Sequence, residues 1–150
     1  MAASKMLRGN YPARVDEKGR LKIPAAFLEA LREQGSQFFV TSENGEFVRI
    51  YPMRAWNDIE EKLARLSSHN RTKQRFLTRM NYYGQVVELD GQGRILVQPI
   101  LREAAQMKGD VYVLGHLTYL DVWNGPRFLQ DLKSNPITAE DEKTLDELGI

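Results

Sequence analysis

The chain contains one short pattern twice: Asp-x-x-Gly-Arg followed by an apolar-polar-apolar run. It occurs as DEKGRLKI at residues 16–23 and as DGQGRILV at residues 90–97, so matching residues lie 74 positions apart. In a chain of 150 residues this offset is about half of the length. A repeated element that cannot bury its own apolar face predicts that the two copies pack on each other.

The first copy predicts two half-buried strands joined by a tight turn. Apolar and polar residues alternate over 7–15 and again over 20–23, which is typical of strands with one face in a core. Between them Gly19 can adopt a positive φ without a steric penalty, and Asp16 can accept hydrogen bonds from the turn amides. The matching turn-forming residues of the second copy are Asp90, Gly93 and Arg94.

After the second strand the pattern changes to a short helix and a hairpin. Pro24 ends the strand and opens an amphipathic helix that closes at Gly35. A hairpin follows, and its turn is marked by Asn44 and Gly45. From Pro52 the apolar residues recur at intervals of three and four, which predicts a helix, and a second, basic helix follows it.

Residues 85–124 repeat the order strand, turn, strand, helix, hairpin. Gln98 stands where the first copy has Pro24, so we expect the second helix to begin one residue later, at Pro99. The remaining residues are acidic, and we interpret them as a mobile tail or a short docked helix. The predicted limits are 10–57 and 86–129 for the two units, 58–85 for the connecting helices and 130–150 for the tail.

Composition excludes several kinds of site. The chain has no cysteine for disulfides, thiolate ligands or a nucleophile, and His69 and His116 are too far apart in sequence for a metal cluster. No apolar run is long enough for a membrane span or an export signal, and no nucleotide-binding or hydrolase motif is present. We therefore expect a cytoplasmic protein without a metal or cofactor.

One enzymatic hypothesis remains, a carboxylate dyad in which Asp16 and Asp90 share a proton. Such a dyad needs each aspartate in a polar loop with a hydroxyl side chain, and the residues after these two aspartates have none. The neighbouring cations also favour two ionised carboxylates. We expect that the protein is not an enzyme.

The basic residues are concentrated near the amino terminus, although the net charge is only +1. On the outer face of the first strands and in their turn, the basic residues are Arg8, Arg14, Lys18, Arg20 and Lys22. The residues that match the last four are Glu88, Gln92, Arg94 and Leu96. A two-stranded ribbon fits the major groove of DNA, and cations on it suit phosphate contacts. Only the first copy therefore predicts a DNA-binding surface.

Each arginine of the motif has two possible roles. It can bond the aspartate of its own turn and fix the corner, or it can reach DNA. Three cations surround Arg20, so we expect it to contact DNA, where its guanidinium can pair with guanine in a fork that lysine cannot reproduce. We expect Arg94 to hold its turn.

Two further features favour a structural explanation. The second connecting helix carries Arg71, Lys73, Arg75 and Arg79, which are typical of a solvated helix face. The aromatic residues with core-like spacings are Phe38, Phe39, Trp56, Tyr82, Tyr83 and Trp123. We do not expect these rings to stack on bases.

Four segments resemble the MraZ family, bacterial transcriptional regulators with two tandem SpoVT-AbrB domains. They are MLRGNYPARVDEKGRLKIPAAF, IYPMRAWNDIEEKL, ELDGQGRILVQPILREAA and VYVLGHLTYLDVW. The resemblance implies an α+β, β-rich fold: two tandem swapped-hairpin AbrB-like units that form a pseudo-two-fold β core, with short helices and a two-helix insert. It also implies ring-shaped homo-oligomers that bind direct repeats in the promoter of the division and cell-wall gene cluster, commonly as repressors.

By this resemblance the DNA-contacting arginine of the family is Arg20. The roles of its basic neighbours come from the charge pattern alone. Met1 to Lys5 precede the usual start of the family and are an upstream extension or an artificial remnant. The alternative function is a non-enzymatic ring module whose basic rim meets acidic protein partners.

Overall fold

The computed structural model describes residues 6–150; Met1 to Lys5, whose origin the sequence leaves open, lie outside them. In chain order its strands and helices are β1 (Asn10–Val15), β2 (Arg20–Lys22), α1 (Ala25–Gln34), β3 (Gln37–Thr41), β4 (Val48–Pro52), α2 (Met53–Ala64), α3 (Arg71–Tyr83), β5 (Gln85–Glu88), β6 (Arg94–Leu96), α4 (Pro99–Ala104), β7 (Gly109–His116), β8 (Tyr119–Asn124), α5 (Gly125–Ser134) and α6 (Ala139–Glu147). The order strand, strand, helix, hairpin occurs twice, with α2 and α3 between the copies.

All eight of these strands form one antiparallel sheet in the order β5-β3-β4-β8-β7-β1-β2-β6. Strand β1 pairs with β7, and β5 pairs with β3, so the first strand of each unit pairs with the hairpin of the other unit. The contacts β2–β6 and β4–β8 also join the two units. The end strands β5 and β6 meet at the second turn, which leaves the sheet nearly closed. This exchange confirms the predicted swapped-hairpin fold.

Backbone hydrogen bonds show the pseudo-two-fold relation directly. The amide of Ile23 donates to the carbonyl of Gly93, and the amide of Val97 donates to the carbonyl of Gly19, each at 2.9 Å. The offset of 74 relates Ile23 to Val97 and Gly19 to Gly93, so each bond is the pseudo-symmetric counterpart of the other. The core inside the sheet draws on both units, together with apolar residues of α1 and α4. Neither repeat therefore encloses this core by itself.

A second apolar cluster lies where α2 and α3 cover strands β3 and β4. Its buried residues are Phe39, Tyr51, Trp56 and Met80. The apolar face of α2 is only partly buried: Trp56 is buried, whereas Ile59 and Leu63 are half-buried. Of the six aromatic residues with core-like spacings, Tyr82 does not lie in the core. Its exposed fraction is 59%. No helix within residues 6–150 has the length and apolar character needed to cross a bilayer.

Four local features of the sequence prediction can be compared with the structure. The first strand is shorter than predicted because Gly9 has a φ of +98°, and Leu7 forms only an isolated bridge to Leu117. Helix α4 begins at Pro99, as predicted. The acidic end forms α6, which has a capping box at Thr138 and no buried residue. The predicted domain limits after residues 57 and 129 fall inside α2 and α5.

A buried ion pair joins the units where β4 meets β8. Arg49 and Asp121 match each other at an offset of 72 and are also register partners. Nε and Nη2 of Arg49 donate to the Asp121 carboxylate at 2.8 and 3.2 Å, and Asp121 is only 3% exposed. The guanidinium also lies 4.3 Å from the centre of the Tyr119 ring. This pair connects the two hairpins at the pseudo-two-fold axis.

We expect Asp121→Ala to lower the free energy of unfolding by roughly 3 to 5 kcal/mol, because it leaves the half-buried charge of Arg49 without its partner. Urea unfolding at neutral pH measures this loss. Asp110→Ala is the matched control, since its ion pair with Arg14 is long, at 3.7 Å, and exposed on both sides. That variant should change stability by less than about 1 kcal/mol. Similar losses in the two variants would contradict a special role for the buried pair.

Candidate nucleic-acid interface

The first turn is built by a single carboxylate. Oδ1 of Asp16 accepts hydrogen bonds from the backbone amides of Lys18 and Arg20, both at 2.9 Å, and Oδ2 accepts from Nε of Arg20 at 2.8 Å. Gly19 has a φ of +81°, a left-handed conformation that favours glycine. The motif thus places an arginine at a rigid corner.

The second turn reproduces this geometry. Oδ1 of Asp90 accepts from the amides of Gln92 and Arg94 at 2.9 Å, and Oδ2 accepts from Nε of Arg94 at 2.9 Å. Gly93 has a φ of +74°. Backbone geometry therefore does not distinguish the turns, and any difference in function comes from the side chains around them.

Both carboxylates are ionised near neutral pH. The backbone amide of Arg20, followed by its side chain and the amide of Lys18, lowers the pKa of Asp16 below its ordinary 3.8. The pKa of Asp90 is lowered in the same way, chiefly by the backbone amide of Arg94. Each aspartate bonds the arginine of its own turn, which is not the arrangement of two acids that share a proton.

A groove runs beside the first turn and is strongly basic. The residues that line it are Arg14, Val15, Asp16, Glu17, Arg20, Lys22, Arg94, Lys108 and Gly109. Five of them are basic and two are acidic. The Arg20 side chain keeps 34% of its surface exposed, and exposed Lys18 stands in the adjoining turn. The guanidinium of Arg20 is therefore open to a ligand in this groove.

Two of the basic residues in the groove come from the second unit, which the sequence did not indicate. The pairing of β2 with β6 sets Arg94 opposite Lys22, and Nζ of Lys22 donates to the carbonyl of Gln92. The pairing of β1 with β7 brings Lys108 to the groove, because Val15 faces Gly109. The repeat predicts that the units pack together, but the register of this packing cannot be derived from the repeat.

Arg8 does not belong to this groove. Strand β1 runs from Asn10 to Val15, and Arg8 precedes it, so about seven residues, or roughly 20 Å of extended chain, separate Arg8 from the turn. Arg8 lines a different groove, with Leu7 and Phe27 among its neighbours. The structure thus brings together four of the five predicted basic residues and leaves Arg8 at the other end of the strand.

The basic helix α3 has a different character. Arg71, Arg75 and Arg79 are exposed along it, and Nζ of Lys73 donates to the carbonyl of Leu66 at 3.1 Å. Asn70 caps the helix through the amide of Lys73. These contacts are those of a solvated helix face with its own cap.

The family model described as "MraZ protein, putative antitoxin-like" matches residues 6–79 and 84–148. The chain belongs to the MraZ family. It is 54% identical over 146 residues to the transcriptional regulator MraZ of Acidobacterium capsulatum and 53% identical over 147 residues to that of Koribacter versatilis. Each alignment covers 97% of this chain and 100% of the relative. The MraZ protein of Syntrophobacter fumaroxidans is 37% identical over 78% of both chains.

Gly19→Ala should lower the free energy of unfolding by at least about 1 kcal/mol, because alanine adopts a positive φ only with strain and its Cβ would lie 2.2 Å from Cζ of Arg102, which must move. Gly91→Ala is the control within the second turn, since a Cβ there meets no atom within 4 Å and Gly91 does not have a positive φ. Thermal or urea unfolding of both variants measures the difference. Equal stability of the two variants would contradict the strain at Gly19.

Acid should destabilise the protein through the two turn aspartates. Their pKa values are lowered in the folded state, so their contribution to stability is complete above the ordinary pKa of 3.8 and is lost as the pH falls below it. Urea unfolding across this pH range should show a smaller acid loss for Asp16→Asn than for the wild type, because asparagine does not titrate. Asp90→Asn should behave in the same way. If both variants kept the acid dependence of the wild type, the two turn aspartates would not be the cause of the acid destabilisation.

Proposed function

We propose that this protein is a sequence-specific DNA-binding transcriptional regulator that contacts duplex DNA through its first turn and the adjoining basic groove. The observation that carries the proposal is the open guanidinium of Arg20 among the basic residues of that groove. Its relatives at 53% and 54% identity bear the name of a transcriptional regulator. We expect such a regulator to act in the cytoplasm, at the nucleoid.

The turn suits Arg20 to base recognition. Asp16 accepts from Nε of Arg20, which leaves Nη1 and Nη2 outside the ion pair. These two groups form the end of the guanidinium that can donate together to O6 and N7 of guanine in the major groove. Because the carboxylate orients the arginine before DNA arrives, less side-chain entropy is lost on binding. Arg14, Lys18 and Lys22 contact phosphates around it.

Several copies acting together strengthen such a contact. A single hairpin with a few cations binds DNA weakly, and its affinity falls steeply with salt. A ring of identical subunits engages successive direct repeats, and each contact after the first forms at a high effective concentration. We propose that the protein binds direct repeats in the promoter of the division and cell-wall gene cluster in this way and represses transcription there.

Arg20→Ala should weaken binding to the promoter repeats by about 1 to 3 kcal/mol per engaged site. Gel shift at fixed salt with DNA from upstream of the protein's own gene measures the loss. Arg94→Ala is a closely matched control, because it removes the same kind of ion pair from the second turn, at 2.9 Å against 2.8 Å. We expect a much smaller loss for Arg94→Ala, because Arg94 adds charge to the groove but holds its own turn and makes no base contact; the two variants should have equal melting temperatures. Equal losses of affinity would overturn the functional difference between the turns.

Salt titration separates this function from the alternative of a ring module with acidic protein partners. The wild type is titrated with repeat DNA and with scrambled DNA of the same composition. A regulator retains a preference for the repeats at every salt concentration, and a footprint then locates the bound sequence. Weak binding without sequence preference would favour the alternative.

A further inference from the structure

A side chain of the second unit lies against the first turn. A Cβ added to Gly19 would fall 2.2 Å from Cζ and Nε of Arg102, so the guanidinium of Arg102 packs directly on this glycine. Arg102 belongs to α4, which follows the second copy of the motif. The lack of a side chain at Gly19 therefore makes room for a cation as well as permitting the positive φ.

Hydrogen bonds hold the Arg102 guanidinium in this position. Nε and Nη2 donate to the carbonyl of Val97 at 3.3 and 3.2 Å. The amide of Val97 in turn donates to the carbonyl of Gly19 at 2.9 Å. Arg102 is thus anchored to the strand end that pairs with the first turn, and its position is coupled to that turn.

The second turn has an apolar residue in the matching place. The offset of 74 relates Arg102 to Leu28 of α1, and Cδ2 of Leu28 lies 3.1 Å from the Cβ position of Gly93. A leucine is therefore sufficient to cover the glycine of such a turn. Covering alone does not explain a charged group at the first turn, which is also the turn that carries Lys18 where the second has Gln92.

We propose that Arg102 is a phosphate-binding residue of the DNA interface, supplied by the second unit to the first turn. This inference rests on the proposed function. Its guanidinium adds positive charge beside Lys18 and Arg20, and Nη1, which makes no bond to Val97, can donate to a phosphate oxygen. The DNA-binding surface is then composite: the first unit supplies the turn, and the second supplies Arg102.

The test compares three variants of the full-length protein. Arg102→Gln removes the charge and keeps a donor for the carbonyl of Val97, Arg102→Lys keeps the charge, and Leu28→Arg gives the second turn the residue of the first. Fluorescence anisotropy with the promoter duplex over a series of salt concentrations gives the affinity and its salt dependence. Thermal melting of each variant reports its folding.

We expect Arg102→Gln to weaken binding roughly three- to tenfold per engaged turn and to lower the slope of log affinity against log salt by about one, since one fewer counterion is released. Arg102→Lys should keep most of the wild-type slope. Leu28→Arg should leave the slope close to that of the wild type, because the second turn does not contact DNA. A structural role alone would not move the slope, so the pattern distinguishes charge from packing.

Two results would overturn the inference while leaving the proposed function intact. One is that Arg102→Gln binds the duplex with the affinity and salt slope of the wild type, while Arg20→Ala binds it more weakly. The other is an equal loss in Arg102→Gln and Arg102→Lys with an unchanged slope, which indicates packing. If the wild type itself shows no salt-dependent binding to the duplex, the proposed function fails and the inference fails with it.

Discussion

The exchange of strands between the two units is the constraint on which the rest of this structure depends. The first strand of each unit finds its hydrogen-bond partners on the hairpin of the other, and β2 pairs with β6 between them. Edge strands with unpaired backbone groups are costly and prone to association, so a separated unit would leave several of them open. The same exchange brings the two turns to neighbouring positions, where Lys22 of one unit donates to the Gln92 carbonyl of the other. Stability and the basic groove therefore have a common origin.

Joining the two units in one chain permits differences that a symmetric pair of identical units could not have. Arg49 and Asp121 occupy matching positions and face each other at the pseudo-two-fold axis. In two identical units these positions would carry like charges, which repel when partly buried. The same freedom applies at the turns, where Arg102 covers one glycine and Leu28 covers the other. The backbone keeps its approximate symmetry, while the basic side chains are concentrated at the first turn.

Much of the local structure follows from short-range chemistry. The Asp-x-x-Gly-Arg turns, the helix start at Pro99 and the two-helix insert could be predicted because each depends on neighbouring residues. The prediction was less successful where tertiary packing decides. Tyr82 has the spacing of a core residue but is exposed, and the first strand is interrupted at Gly9, whose φ is +98°, so that Leu7 forms only an isolated bridge to Leu117. Such contacts involve residues more than a hundred positions apart.

The candidate site shows the same division. Asp16, Gly19 and Arg20 are adjacent in sequence, so their motif alone indicates a rigid turn with an arginine at its corner. Repetition at half the chain length also indicates that the units pack together. The presence of Lys108 in the groove, the packing of Arg102 on Gly19 and the separation of Arg8 from the groove emerge only in the folded chain. The physical reason is strand register: a repeat implies which strands pair, but the shift between them depends on packing of the whole core, and a shift of one residue turns every side chain to the opposite face.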